Sequence, residues 1–429
     1  MRRAFQNLRH AEVGVARRWL MLAVGLLDQA VSAYFVHGAA FLIPRLTRMG
    51  LGLSAAGALV AAPTVGIMLT LIAWGAFVDR FGERVALVAG LAGTGLAAAA
   101  AALVGGVASG PAGTIGTGSL VGLAVLLGLG GMAAASSNVA SGRIVVGWFP
   151  AHRRGLAMGI RQMAQPLGVG IAALTVPVLA ERHGLGAALW LATGLAALAV
   201  SATAVLVVDP PRPSRQAAQR DGRLDNPYRG NAFLWRVHAV SVLLVVPQFT
   251  VWTFMLVWLV ADRGWPTGLA GLLVAGTQFL GAFGRIGAGQ LSDLVRSRTR
   301  PLRWVAIAAA LTMGLLALLD QLHSPVAVVI MVVASVITVA DNGLAFTSIA
   351  EVAGPFWSGR ALGAQNTAQF LAASAVGPLV GGLIGLIGYP ASFALVALCP
   401  VAATPLVPPD SVTKARKAGS AVPTPGSRR

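Results

Sequence analysis

Apolar residues in this chain fall in long blocks separated by short polar breaks, rather than at the period of a strand or of a surface helix. A bilayer core takes about 20 mostly apolar residues per helix. On that template the blocks predict helices near 19–43, 53–76, 85–107, 117–146, 155–180 and 186–208, then 236–261, 267–291, 304–322, 325–350, 361–386 and 388–407. The turn between the last two falls between Gly385 and Pro390. An even number of spans leaves both chain ends on one side of a membrane.

Composition agrees with the pattern. Of 429 residues, 56% are hydrophobic and 11% charged, with mean hydropathy +0.76, against roughly 25% charged in a soluble domain. The longest polar interruption, rich in Pro, Arg and Gln, divides six helices from six. The chain therefore reads as a cytoplasmic arm (1–18), a six-helix bundle (19–208), a solvated linker (209–235), a second six-helix bundle (236–407) and a disordered cationic tail (408–429) that touches anionic lipid. The apolar run after Trp19 is too long for a signal-peptide core and reads as a retained first helix. The single cysteine, Cys399, has no partner for an internal disulfide.

A net charge of +18 invites comparison with nucleic-acid binders, but position decides otherwise. The arm, the tail and the breaks at 77–84, 147–154, 209–236, 292–303 and 351–360 hold 25 of the 32 Lys+Arg. The opposite set of breaks holds four, Arg45, Arg48, Arg182 and Arg263. Positive charge marks the cytoplasmic side, so the sequence predicts an inner-membrane protein with both termini cytoplasmic. Its partners are lipid and a small molecule, and nucleic acid is not among them.

The two halves echo each other. Gly75-Ala-Phe-Val-Asp79-Arg80 is repeated as Gly289-Gln-Leu-Ser-Asp293, and Arg154 to Gln165 as Arg360 to Gln369. Asn138 matches Asn342 at an offset of 204 residues, the same as Gly159 to Gly363 and Gln165 to Gln369 within this second pair. Internal repeats of this kind mark many transporter folds. The run Gly75-x-x-x-Asp79-Arg80-Phe81-Gly82-Glu83-Arg84 resembles the signature between the second and third helices of the major facilitator superfamily, with Glu83 where that family usually carries a basic residue. The resemblance covers about residues 18–407. It implies an all-α membrane protein of two six-helix bundles related by a pseudo-two-fold axis, working as a monomer without a cofactor.

By the same resemblance the gating motif is Gly75, Asp79, Arg80, Gly82 and Arg84, with Gly289 and Asp293 as its second copy. Asp79 would face the N-terminus of the eleventh helix, and Arg80 and Arg84 would pair with acids or carbonyls when the cytoplasmic side is closed. Glu83 weakens the charge of the loop.

Ionisable groups inside apolar spans are costly, about 2.5–3.5 kcal/mol on insertion scales, and mark function. Asp28 lies near mid-depth of the first helix and Asp341 of the tenth. Helices one, four, seven and ten line the cavity in the resembled family, so both carboxylates, with Asn138, Gln248 and Asn342, are expected on the substrate and proton pathway. Arg285, with Gln278 seven residues earlier on nearly the same face, offers a fork for a carboxylate or phosphate. An arginine in the eighth helix also resembles the organic-anion branch of the superfamily. Arg143, Arg161 and Gln165 read as secondary gate or packing residues, and Trp148, Trp258, Trp265 and Trp357 as an interfacial aromatic belt. There is no metal-ligand cluster, nucleotide loop or nucleophile elbow, which argues against a pump or a membrane hydrolase. The expected function is secondary transport of a small organic anion or amphipathic compound, proton-coupled. The competing reading is a receptor or scaffold that keeps the fold.

Overall fold

The computed structural model describes residues 13–108, 116–212, 215–220, 224–229 and 232–410. All regular structure among them is helical. Spanning rods are α1 (Val15–Arg48), α2 (Leu53–Phe81), α3 (Glu83–Ala108), α4 (Thr117–Trp148), α5 (Ala151–His183) and α6 (Leu185–Leu206). The second set is α7 (Phe233–Asp262), α8 (Thr267–Leu294), α9 (Thr299–Gln321), α10 (Val326–Ala353) and a run Ser358–Leu406. That run breaks at Gly388, whose φ of 78° reverses the chain just ahead of Pro390 and separates α11 (358–387) from α12 (389–406). Twelve apolar rods result, as the block pattern predicts.

The helices answer a solvent that offers no hydrogen bonds, since each backbone group must be satisfied within its own segment. Two rods are nonetheless interrupted at mid-depth. In α5 a turn at Gln162 and Met163 separates Arg154–Arg161 from Ala164–His183. In α10 a turn over residues 338–340 separates Val326–Ile337 from Asp341–Ala353. Side chains such as Leu96, Leu174, Leu272 and Leu386 stand out from the bundle and form its apolar exterior.

The apolar core is continuous at one end only. The core of α1–α6 runs on into Ala345, Ile349, Ala361 and Leu362 of α10 and α11. The far part of the second half has its own cluster around Val251, Trp258, Met313 and Phe393. The halves thus join at the face carrying the loops 77–84, 147–154, 292–303 and 351–360, the basic face, and part toward the opposite one.

The linker is less solvated than its composition suggests. Asp209 accepts a hydrogen bond from the Arg84 backbone (2.7 Å), the Leu224 carbonyl accepts one from Trp357 Nε1 (3.0 Å), and Tyr228 meets His238 (2.9 Å). The start of the tail docks likewise, Asp410 taking bonds from Ser297 and Thr299. The rest of the expected disordered tail, and most of the arm, lie outside the described residues.

Of the four tryptophans expected in an aromatic belt, Trp258 is turned inward, while Trp148, Trp265 and Trp357 are half-buried near helix ends. Trp258 is fully buried and donates to Asp320 (3.0 Å), and Trp148 donates to the Val208 carbonyl (2.8 Å). The exposed tryptophans are Trp190, Trp235 and Trp304, each within a few residues of a helix start. Tertiary contacts, which a helix-end position does not disclose, decided which indoles turned inward.

Candidate functional site

Between the halves, level with the two interruptions, lies a cleft with about 610 Å³ of empty space, part of it open to solvent. The first half contributes Gln29, Asn138, Gln162 and Gln165, and the second Gln248, Asn342, Asn366 and Gln369. These carboxamides obey the pseudo-two-fold axis. Gln29 Nε2 donates to Asn138 Oδ1 at 3.0 Å, and Asn342 Nδ2 donates to Gln248 Oε1 at 3.0 Å. Gln369 Nε2 adds a bond to Asn342 Oδ1 (3.0 Å). Val245, Phe249, Phe346 and Phe370 supply the apolar wall.

Charge breaks the symmetry. Arg161 and Arg285 are the charged residues of the lining, and no Asp or Glu among the described residues joins them. Arg161 is held fast, donating from Nε to Ser141 Oγ (3.0 Å), from Nη1 to Gln162 Oε1 (2.7 Å) and from Nη2 to the Asn138 carbonyl (2.7 Å). Arg285 donates from Nη1 to the Gln162 carbonyl (3.0 Å), while its buried Nε has no partner. The sequence explains that contact. In an unbroken helix the Gln162 carbonyl would accept from residue 166, which is Pro166 and has no N–H. The freed carbonyl takes Arg285 from the other half.

The other pathway candidates scatter. Asp341 is 1% exposed, its carboxylate meets no side-chain donor, only the adjacent backbone of Asp341 and Asn342, and it feels the charge of Arg285 without an ion-pair contact. Asp28 stands apart from the lining. It is fully buried between α1 and α6, where Thr203 Oγ1 donates to it at 2.9 and 2.8 Å, and its neighbour Gln29 takes the cavity position. Gln278 is half-buried and also outside the lining. Arg161 and Gln165, read from sequence as gate or packing residues, stand in the wall itself. Among the described residues no group of three or more His, Cys, Asp or Glu is placed to hold a metal ion.

Below the cavity, two matching seams close the basic face. On one, Gly75 of α2 lies against Gly359 of α11, where a Cβ on Gly75 would stand 2.4 Å from the Gly359 carbonyl oxygen. Only glycine lets two backbones meet so closely. Asp79 then caps α11, accepting from the Gly359 and Arg360 backbone N–H groups (2.9 and 3.0 Å), where a helix start leaves donors unsatisfied and favours negative charge. The other seam repeats this. A Cβ on Gly289 of α8 would stand 2.1 Å from the Gly155 oxygen of α5, and Asp293 accepts from the Gly155 and Leu156 N–H groups (3.0 and 2.9 Å).

Arg84 donates to the Ala204 carbonyl, whereas Arg80 is exposed, lies over the Phe81 ring and pairs with no acid among the described residues. The partners of Asp79 are Arg143 (2.9 Å) and Arg360 (3.1 Å). Glu83 does not merely subtract charge. It is fully buried between Arg143 (3.0 Å) and Arg212 (2.9 Å). Sequence reasoning passed over Gln29, Gln162 and Glu83. The repeat sets Gln162 opposite Asn366, and Pro166 gave a second signal for it; Gln29 and Glu83 had none of this kind.

Comparison with known proteins bears on this arrangement. The family model described as Major Facilitator Superfamily matches residues 20–376. An uncharacterised MFS-type transporter of Mycobacterium tuberculosis (strain H37Rv) is 48% identical over 410 residues, 94% of this chain and 89% of that one. Among solved structures, a proton:xylose symporter bound to 6-bromo-6-deoxy-D-glucose aligns with TM-score 0.73 at 17% identity, over 91% of this chain and 95% of that chain. A transporter, FucP, in the outward conformation aligns with TM-score 0.70 at 15% identity, over 94% and 99%. These last two speak for the fold alone. With a family model across most of its length and a relative at nearly half identity, this chain belongs to the major facilitator superfamily of membrane transporters.

Proposed function

We propose that this chain moves a small organic anion across the cytoplasmic membrane by alternating access, coupled to protons, with both chain ends inside the cell. One observation carries the reading: two buried arginines stand in the wall of a cavity whose described lining contains no carboxylate. An uncompensated buried charge costs several kcal/mol, and an anion entering the cavity offsets that cost.

Asp341 supports the coupling. α8 and α10 meet closely where Gly281 and Gly284 face Val339 and Val336, which brings Arg285 and Asp341 to the same level. A proton on Asp341 removes the charge that competes for Arg285, and the guanidinium is then free for the substrate. Asp28, enclosed with Thr203, has no such line to the cavity, so the reading assigns coupling to Asp341 in its place. Orientation rests on the 25-to-4 split of basic residues between the two sets of breaks. With that orientation the closed face is cytoplasmic and the cavity serves the outside.

In proteoliposomes, Asp341→Asn is expected to lose proton-driven accumulation of an accepted carboxylate while still exchanging it, and Asp28→Asn to retain both. Arg285→Gln is expected to lose at least about tenfold in affinity for that carboxylate. Normal binding by Arg285→Gln removes the anion reading. Reporter fusions after Arg84, Arg154 and Arg303 should read cytoplasmic and those at Arg45 and Arg263 external; two contrary readings break the orientation.

A further inference from the structure

We propose that the anion is a polyhydroxylated carboxylate, with the size and chemistry of a six-carbon sugar acid. This rests on the organic-anion reading and narrows it. The Arg285 guanidinium takes the carboxylate, and the carboxamides of the wall take the hydroxyls.

The number of free positive forks sets the charge the ligand must carry. Arg161 spends donors from all three of its nitrogens on Ser141, Gln162 and Asn138, whereas Arg285 spends one on the Gln162 carbonyl and keeps its Nε without a partner. One open fork matches one carboxylate bidentately. A phosphate dianion would call on both arginines.

The carboxamides supply the second step. An amide presents both donor and acceptor, and so does a hydroxyl. Beyond the bonds that fix them, Asn138 Nδ2, Gln248 Nε2, Asn366 Oδ1 and Gln369 Oε1 engage no other protein group. Turning any amide over still leaves one of its ends toward the cavity. The Gln29–Asn138 pair and the Gln248–Asn342–Gln369 chain hold these ends in place before a ligand arrives, which lowers the ordering cost of binding. An alkyl or aromatic acid would leave the amides facing carbon, and polar groups desolvated without partners cost about 1–3 kcal/mol each. A hydroxylated chain leaves none of them unmet. Phe249, Phe346 and Phe370 lie against the carbon side of such a molecule.

A neutral sugar satisfies the amides and leaves Arg285 unpaired. An aliphatic acid satisfies Arg285 and leaves the amides unpaired. Only a ligand bearing both kinds of group answers the whole wall.

The test is binding to the full-length protein in nanodiscs, read by the fluorescence of Trp252, which lies 5.8 Å from Arg285. The probes are stereoisomeric six-carbon aldonates and uronates, hexanoate, glucose and glucose 6-phosphate. At least one sugar acid should bind about tenfold or more tighter than hexanoate and glucose, since sites built for hydroxyls discriminate strongly against analogues lacking them. Gln369→Leu should weaken sugar-acid binding about tenfold more than hexanoate binding and so erase the preference, with Gln248→Leu as the second variant if the first does not fold. Hexanoate binding as tightly as every sugar acid overturns the inference and leaves the organic-anion reading standing. Glucose binding as tightly as its acids overturns both. Tightest binding by the phosphate overturns the choice of carboxylate, and no binding by any sugar acid overturns the inference outright.

Discussion

The two seams of the basic face share a geometry and differ in who supplies it. In each, a glycine pair brings backbones together and an aspartate caps a helix of the other half. Asp293 is steadied by Arg298, which stands where the repeat places Arg84 in the first half. Arg84 itself turns to a carbonyl of α6, and Arg143 of α4 serves Asp79 instead. The second acid differs as well. Glu83, at the start of α3, answers Arg143, whereas Glu351, near the end of α10, answers Arg154 and Arg298 at 3.3 Å each. Backbone geometry was kept through the duplication and the counter-ions were reassigned. The reassignment has a consequence, because among the described residues the linker is tied to the α2–α11 seam. Arg212 reaches Glu83 and the carbonyls of Val78 and Asp79, and Leu224 holds Trp357, whose ring lies 3.8 Å from Arg360. Both seams run up to the cavity, Gly159 lying against the backbone of Arg285 and Gly363 against that of Leu71. One seam is placed to respond to the linker as well as to the ligand.

The largest effect should come from the glycines. Gly75→Ala and Gly289→Ala each drive a Cβ into an opposing carbonyl oxygen, which pulls the capping aspartate off its helix. Losing two such bonds, at about 1.5 kcal/mol or more each for charged acceptors, should depopulate the closed state by about 100-fold or more in either variant. Spin labels at the exposed positions Arg80 and Arg296 would report the opening as a longer inter-half distance. A closed state that tolerates one alanine and not the other would break the equivalence of the seams.

Asp79→Asn and Asp293→Asn come next, each lowering turnover about tenfold while sparing ligand affinity. The two should agree within about threefold, because Arg143 keeps Glu83 and Arg298 keeps Glu351. Loss of binding in a folded variant would move the aspartate's role to the ligand.

The smallest effect, about threefold in turnover, is expected of Arg212→Ala, which leaves Glu83 to Arg143 alone. It also sharpens the comparison most. Combined with Asp79→Asn it should depart from additivity by about 1 kcal/mol, and combined with Asp293→Asn it should be additive. The reverse pattern would show that the linker acts elsewhere.

The twelve rods were legible because block length alone sets them, and the seams because Gly-x-x-x-Asp recurs with its spacing intact. The cavity wall was harder to read. Whether Asp28 or Gln29 enters it is a matter of about 100° of helix rotation, which the packing of α1 against α4 and α6 decides and no local pattern records. Arg161 looked like a gate residue because Pro166 marks a break in α5 without showing which way that break aims the neighbouring side chains. Glu83 looked like a deficit because its partner Arg212 lies 129 residues away in a segment that composition marks as solvated. Interactions that join distant segments through single side chains leave no periodic trace.

The glycine contacts also bear on how quickly the two halves can part. Where backbones touch without side chains between them, separation strands no rotamers that must be sorted before the surfaces meet again. A buried side chain surrenders up to about 2 kcal/mol of rotameric freedom, and a seam of Leu or Met would surrender it anew at every closing. Gly75 against Gly359 and Gly155 against Gly289 surrender none. Such a hinge line is smooth in the mechanical sense: its two edges need only approach for the capping bonds to re-form, and the search that slows most interfaces is absent from it.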